Sequence, residues 1–403
     1  HPLPPGTAPS TAGRHGVLPL HASRQIRGMT TTVRPRTPAE LAVIVPYQLG
    51  YHPGPSLVLT ALTGRRLGML QRHDLLADPE DCAGAARQAV KIMVREGAGA
   101  LIVIAFEEDE GSSAPLREAV VATAEDLGLP VSEHLVVREG RWFAPDCGQS
   151  CCPADGLPLP RPEDVPAVAA FVGAGVAPFP SRAALVASVL PDRDEGRAAR
   201  LRRHLEVLVS CAVGRRRVVA CDQWLVDVWR VLLDPTPAAP AVADLGDAVL
   251  ARAAWSLEDV AWRDALMTVL GPGMLPTSAP TPEVELAVSA AAACPWVGGD
   301  LEVGPGAPGD AGGEVLTVRA RLVELSRLLP VEMTPPVLTL VAHLAWWAGD
   351  GSVAAIALER ARGVDPEYRL AELMDRLLSV GVRPSALSDD RSDGEGASPG
   401  EAA

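Results

Sequence analysis

The turn Pro46-Tyr47-Gln48-Leu49-Gly50-Tyr51-His52-Pro53 holds two of the chain's three tyrosines together with a histidine. His52 stands between Tyr51 and Pro53, which would constrain its ring. A neutral imidazole so placed could act as a base or a metal ligand. Tyr47 and Tyr51 could line a ligand site beside it. The plainer reading is that these rings fill a helix–strand corner and hydrogen-bond backbone.

Acidic groups end two strand-like runs: His73-Asp74 the first, Glu107-Glu108-Asp109-Glu110 the second. In α/β sheets, ligands bind outside the carboxyl ends of strands. If the two strands run parallel, Asp74 and Glu107 or Glu108 share a rim, with Asp109 close by. They could hold a hard cation, or a substrate hydroxyl or amine. Solvated loop charges favoured by a helix N-terminus are the alternative.

Cys147, Cys151 and Cys152 form the one thiol cluster. Clustered thiolates can bind zinc at about 2.3 Å, with His134 or Asp146 as conceivable fourth ligands. No second Cys or His pair is visible, and adjacent cysteines are awkward co-ligands, so ordinary thiols compete with zinc. A redox dithiol is a third option, without a C-x-x-C. Cys82, Cys211, Cys221 and Cys294 sit singly in apolar helical stretches and read as core. Arg197, Arg200, Arg202, Arg203 and Arg215-Arg216-Arg217 could grip a phosphate or an acidic partner. Asp192, Asp194, Glu195, Glu206 and Asp222 offset that field, which favours an ion-paired helix face. Tryptophans concentrate beyond residue 220 and read as core, although an exposed Trp346-Trp347 pair would anchor a partner.

The elements that must position these groups follow from pattern. Thr37-Pro38-Ala39-Glu40 opens a helix: Thr37 caps, Pro38 suits the first position and Glu40 completes a capping box. That helix kinks at Pro46 and ends at Gly50; a strand is the alternative, since Val43-Ile44-Val45 is β-prone. Stretches 57–62 and 67–73 predict strands, and 79–96 a helix with Ala86, Ala89, Val90 and Met93 on one face. Ala100 to Phe106 is a continuous apolar run, as in a strand buried on both faces. A helix over 114–127 and a hairpin across Glu139-Gly140 complete an α/β N-terminal domain with a mixed sheet, about 37–160. From residue 161 to 383 the pattern is all-α, with a break at 295–313. Residues 1–36 and 384–403 read as disordered. Met29 looks like an ordinary start, so the first 28 residues read as upstream sequence.

A net charge of −14 argues against a nucleic-acid backbone or an anionic membrane surface as partner. No apolar run approaches the ~18–20 residues of a membrane span. No hydrophobic signal core is present near the start, so a cytoplasmic location is expected. Lysine occurs only at Lys91 and asparagine is absent, a bias that a GC-rich genome would write. There is no G-x-x-x-x-G-K-[ST], G-x-G-x-x-G or H-E-x-x-H. The G-x-S-x-G at Gly396 to Gly400 lies in the polar tail, outside any strand-turn-helix.

The 46–53 turn followed by Ser56-Leu57-Val58 resembles an actinobacterial family catalogued only as a domain of unknown function, number four-one-nine-two. Arg141-Trp142 before the cysteine cluster, Pro180-Ser181-Arg182, and Gly349-Asp350-Gly351 followed by Leu358-Glu359-Arg360-Ala361 are similar to the same family. The resemblance spans roughly residues 37–383. It implies a cytosolic actinobacterial protein and carries over no catalytic residue. The last piece also looks like one tetratricopeptide unit, although a lone packed hairpin explains it as well.

Two functions are therefore in play. One is a binding or regulatory module for a protein or small-molecule partner. The other is an enzyme with His52, Asp74 and Glu108 in acid-base or metal roles at the strand ends. The missing nucleotide motifs and the scattered polar groups favour the first.

Overall fold

The computed structural model describes residues 21–26, 29–33, 35–64, 66–147, 152–173, 176–190, 193–212, 223–272, 274, 281–292 and 311–382. The chain divides into two compact units: residues 1–23, 32–44 and 56–170, and residues 24–31, 45–55 and 171–403. An α/β region with a mixed sheet precedes a mostly helical region.

Strands β1 (His21–Ile26) and β2 (Met29–Val33) come first. They correct the expectation of disorder over residues 1–36. Met29-Thr-Thr-Thr-Val33 is polar but β-prone, and a sheet edge accepts such a strand without a hydrophobic face. Residues 1–20 and 383–403 lie outside the described residues. Helix α1 (Pro38–Leu49) follows. Thr37 Oγ1 accepts from the Glu40 N–H at 3.2 Å, and the Glu40 carboxylate reaches back to the Arg36 N–H at 2.7 Å. This closes the capping box one residue early and decides helix over strand. Gly50, at φ 83°, ends α1 in a conformation that favours glycine.

Six strands between residues 56 and 158 build the body of the sheet: β3 (Ser56–Thr63), β4 (Arg66–Asp74), β5 (Ala100–Phe106), β6 (Val131–Arg138), β7 (Arg141–Phe143) and β8 (Leu157–Pro158). The sheet order is β2-β1-β4-β3-β5-β6-β7-β8. β3 is antiparallel to both β4 and β5, whereas β5 and β6 are parallel. The parallel step needs a crossover, which α3 (Ala114–Asp126) supplies; α2 (Pro79–Arg95) links β4 to β5. α2 is capped by Asp78, whose side chain accepts from the N–H groups of Glu80 and Asp81.

Alternation then places Leu101, Val103 and Ala105 of β5 against Ala86, Ala89, Val90, Met93, Leu116 and Val120 of α2 and α3. Ile102 and Ile104, on the other face, are equally buried. The 100–106 run is thus a strand without a solvent face, as its composition predicts. Truncating a core side chain such as Met93 to alanine would cost about 2–5 kcal/mol. The hairpin between β6 and β7 turns on Glu139 and Gly140, both at positive φ, which matches the twist of the strands.

The chain leaves the sheet through a 3-10 turn (Pro162–Asp164) and α4 (Pro166–Gly173). The second unit is built from α5 (Arg182–Val189), α6 (Glu195–Ala212), α7 (Gln223–Leu232), α8 (Asp247–Ser256), α9 (Val260–Leu270), α10 (Pro282–Ala291), α11 (Ala311–Leu328), α12 (Thr334–Trp347), α13 (Gly351–Val364) and α14 (Arg369–Ser379). At its centre lies α12, buried at every position but Trp346 and packed by α9, α11 and α13. Trp229, Trp262 and Trp347 are core residues. Trp346 is half-buried and donates to the Val382 carbonyl, so the adjacent tryptophans do not form an exposed pair. The Gly349-Asp350 turn is a joint: Asp350 caps α13 at Val353 N–H and pairs with Arg319 of α11 at 2.9 Å.

His343 is the one imidazole inside α12, and its Nε2–H donates to the Met267 carbonyl at 2.7 Å. A Cβ on Gly271 would collide with that ring, so the α9 terminus requires glycine. Burial, only partly offset by the bond to Met267, pushes the His343 pKa down to about 4. The unfolded chain keeps the ordinary value of about 6.5, so it binds the extra proton between these limits. Stability should therefore fall as pH drops from about 6.5 to about 4, by up to about 3 kcal/mol. Urea unfolding of wild type and His343→Gln across this range should show the shallower decline in the variant. Equal declines would refute the assignment.

Candidate functional site

Glu107 continues the alternation of β5, so its carboxylate falls on the face covered by α2 and α3. It accepts from Ser113 Oγ at 2.5 Å, Ser113 N–H at 2.9 Å, Arg138 Nη1 at 3.0 Å and Gly111 N–H at 3.2 Å. Burial alone would raise its pKa; the bonds from Ser113, Gly111 and Arg138 outweigh burial and hold it below the usual carboxylate range. Ser113 occupies the N-cap position of α3, yet its hydroxyl serves Glu107 instead of the helix. With four donors in place, this carboxylate closes the loop from β5 to α3 and has no room for a substrate.

A second group adjoins it. His134 lies opposite Val103 on the same sheet face. Its Nδ1–H donates to Asp146 at 2.6 Å, and its Nε2 accepts from Arg117 Nη1 at 3.1 Å. Arg117 also reaches Ser113 Oγ at 3.4 Å. Burial lowers the His134 pKa, Asp146 partly restores it and Arg117 opposes that, so the ring stays neutral near pH 7. This is a carboxylate-oriented imidazole with its second nitrogen held by a guanidinium.

The rim anticipated from sequence forms in part. β4 and β5 run parallel because β3 opposes both, and Asp74 and Phe106 pair with the same residue, Ser56. Asp74 therefore takes the side of Phe106, while Glu107 takes the other. Asp74 is exposed and ion-paired with Arg72; Glu108 and Asp109 are also exposed. His52 belongs to the second unit, and Asp74 and Glu108 to the first. Within that unit the 46–53 turn is fixed by backbone. Tyr51 forms a parallel bridge with Phe179, His52 N–H donates to Phe179 O at 2.9 Å, and Phe179 N–H donates to Gly50 O at 2.8 Å. Tyr47 stacks on Phe171 with centroids 5.6 Å apart, Tyr51 is buried and the His52 side chain is exposed. Backbone pairing and ring packing, the plainer of the two readings, account for this geometry.

Cys147 and Cys152 are half-buried, and Cys151 lies outside the described residues. Among the described residues, no group of three His, Cys, Asp or Glu side chains is placed to hold a metal. The two side chains named as fourth zinc ligands, His134 and Asp146, are hydrogen-bonded to each other. Arg141 orders the far side of this loop by donating to the carbonyls of Asp155 and Gly156. Of the arginine cluster, Arg197 and Arg200 converge on Asp247, and Arg202 forms a bidentate pair with Glu332. Arg215-Arg216-Arg217 lie outside the described residues.

The helical unit contains a cavity of about 300 Å³ between the ends of α5 and α11, the start of α12 and the middle of α13. Arg193, Arg327 and Arg360 line it, with the hydroxyls of Ser326 and Thr334 and the apolar side chains of Leu190 and Leu338. Arg327 is held by a bidentate pair with Glu324 at 2.7 and 2.8 Å. Arg193 donates to the Leu329 carbonyl and lies 3.4 Å from Glu195. The Arg360 guanidinium makes no hydrogen bond or ion pair with any described residue. Burial lowers the Arg193 pKa first; Glu195 opposes this, and the nearby charge of Arg360 lowers it further. No spacing could reveal this site, since positions 193, 327 and 360 meet only by folding. The sole signal was Arg360 within the Leu358-Glu359-Arg360-Ala361 piece.

The family model described as Domain of unknown function (DUF4192) matches residues 38–296 and 311–385. The chain belongs to this family. Comparisons with curated proteins and with solved structures return no match. The DUF4192 match takes in both the sheet and the helices, including the cavity residues. Most of the pieces that carry the resemblance serve as joints. Gly50 and His52 hold Phe179 through backbone hydrogen bonds, Ser181 caps α5, and Arg182 pairs with Glu359 at 3.2 Å. No helix is long and apolar enough to cross a membrane among the described residues.

Glu107→Gln tests the closed loop. The amide cannot accept from four donors, and lost charge-assisted hydrogen bonds cost about 1.5–3 kcal/mol each. The depressed pKa also means that the carboxylate's contribution is complete above the unfolded value and is lost as pH falls through the folded one. The variant should unfold at lower urea at pH 7 and converge towards wild type at acid pH; a constant difference would refute the role.

Proposed function

We propose that the protein is a binding module whose helical unit takes up a small anionic molecule in the arginine-lined cavity. The single observation behind this reading is Arg360, an exposed guanidinium without a hydrogen bond or ion pair to any described residue, at a cavity that it shares with Arg193 and Arg327. Burial is the main cause of the lowered Arg193 pKa, and an anion between Arg193 and Arg360 would offset the smaller contribution of the Arg360 charge. The cavity volume is at the lower end of the range used for small ligands, about 300–1,000 Å³. The arginine-rich, lysine-poor composition supports an actinobacterial source, and the acidic surface supports a cytoplasmic setting without nucleic acid or membrane as partner.

A second reading keeps an acid-base site in the α/β unit. It rests on His134 and Asp146, whose 2.6 Å contact orients an imidazole as a general base requires. Arg117 on Nε2 opposes it, because the basic nitrogen is already engaged.

The test is thermal stability and calorimetry of the full chain with a panel of sodium salts of small anions, against sodium chloride at equal ionic strength. Some member should raise the melting temperature, and Arg360→Ala should weaken its binding about tenfold or more, the equivalent of one charge-assisted hydrogen bond. Arg360 is exposed, so the variant should fold normally. No stabilisation by any anion, or equal binding by the variant, would overturn the reading.

A further inference from the structure

The partners of the cavity arginines do more than mark it as anion-binding; they leave one guanidinium without a carboxylate among the described residues. Arg327 is neutralised by Glu324 through two hydrogen bonds, and Arg193 has Glu195 at 3.4 Å. Two further carboxylates act on this region, Glu332 on Arg193 and Asp194 on Arg327. Glu332 is itself held by Arg202 in a bidentate pair, and Asp194 caps α6 by accepting from the Arg197 N–H at 2.9 Å. Glu332 thus has the Arg202 guanidinium as its partner and Asp194 a backbone N–H, while Arg360 is the one arginine of the cavity lining without a carboxylate at ion-pair distance among the described residues.

The hydroxyls sharpen the choice. Ser326 Oγ donates to the Val323 carbonyl and Thr334 Oγ1 to the Val331 carbonyl, both at 2.7 Å. Their protons are engaged by these carbonyls, so they do not supply the extra donors that a dianionic phosphate needs on its several oxygens. The planar fork of Arg360 can take two acceptor oxygens of one anion, so a single carboxylate satisfies it without further donors. Leu190 and Leu338 form an apolar wall in the same cavity. A ligand with a charged end and an apolar body satisfies both surfaces.

We infer that the cavity binds a small monocarboxylate with an apolar body, its carboxylate on Arg360 and its hydrocarbon part against Leu190 and Leu338. This rests on the binding reading above and names the ligand class for that site.

Calorimetry of the full chain with hexanoate, acetate, hexanamide and inorganic phosphate tests it. Hexanoate should bind at least about tenfold tighter than acetate, because each buried methylene contributes about 0.8 kcal/mol. It should also exceed hexanamide and phosphate by about tenfold, the value of one charge-assisted hydrogen bond. Arg360→Ala should bring hexanoate down to the level of hexanamide. Phosphate binding tighter than hexanoate, with loss in Arg360→Ala, would overturn the carboxylate assignment while leaving an anion-binding module. Equal binding of hexanoate and acetate would remove the apolar body. No binding of any of these probes would overturn the inference, and the wider salt panel then decides the binding reading.

Discussion

A helix with no solvent face must be enclosed by other helices, and α12 is such a helix. Its thirteen buried positions run from Thr334 to Trp347, with His343 as the one titratable group among them. An α-helix that is apolar all round is stable in water only inside a core. The surrounding helices α9, α11 and α13 therefore have their inner faces dictated by α12. The cavity follows from the same constraint. It opens where α12 begins, at Thr334 and Leu338, and where the ends of α5 and α11 do not close over that first turn.

The two polar clusters contrast in a way that bears on function. Glu107 is buried and saturated, with serine, glycine and arginine donors on its oxygens. Saturation of that kind rigidifies a loop and leaves nothing to bind. The cavity arginines are held by protein on one side only, and Arg360 by nothing described. Arg360 is exposed at the cavity without a carboxylate partner among the described residues and is open to an anion, whereas a carboxylate with four donors is closed to one. The functional reading therefore moves from the sheet rim to the helices.

Membership of the DUF4192 family gains a physical content from this. Gly50 with Phe179, Arg182 with Glu359, and Asp350 with Arg319 are contacts between segments far apart in sequence, and Ser181 caps α5 locally. They fix turns and helix ends within the helical unit. Arg360 stands next to one of these joints and makes none itself.

Periodicity and capping determined the elements. The apolar run at 100–106 could only be a doubly buried strand, Thr37 and Glu40 settled α1 as a helix, and Glu139-Gly140 set the hairpin. These are local properties, written within a few residues. The mixed sheet before a helical region was legible for the same reason, while β1 and β2 were missed because three threonines resemble a polar tail. The side of the sheet that each acid takes needed the register of β3 with both neighbours, and this separated Asp74 from Glu107. The meeting of Arg193, Arg327 and Arg360 needed the packing of α5, α11 and α13 with α12. Charge placement across such distances depends on how buried faces fit, and a linear pattern holds no record of that fit.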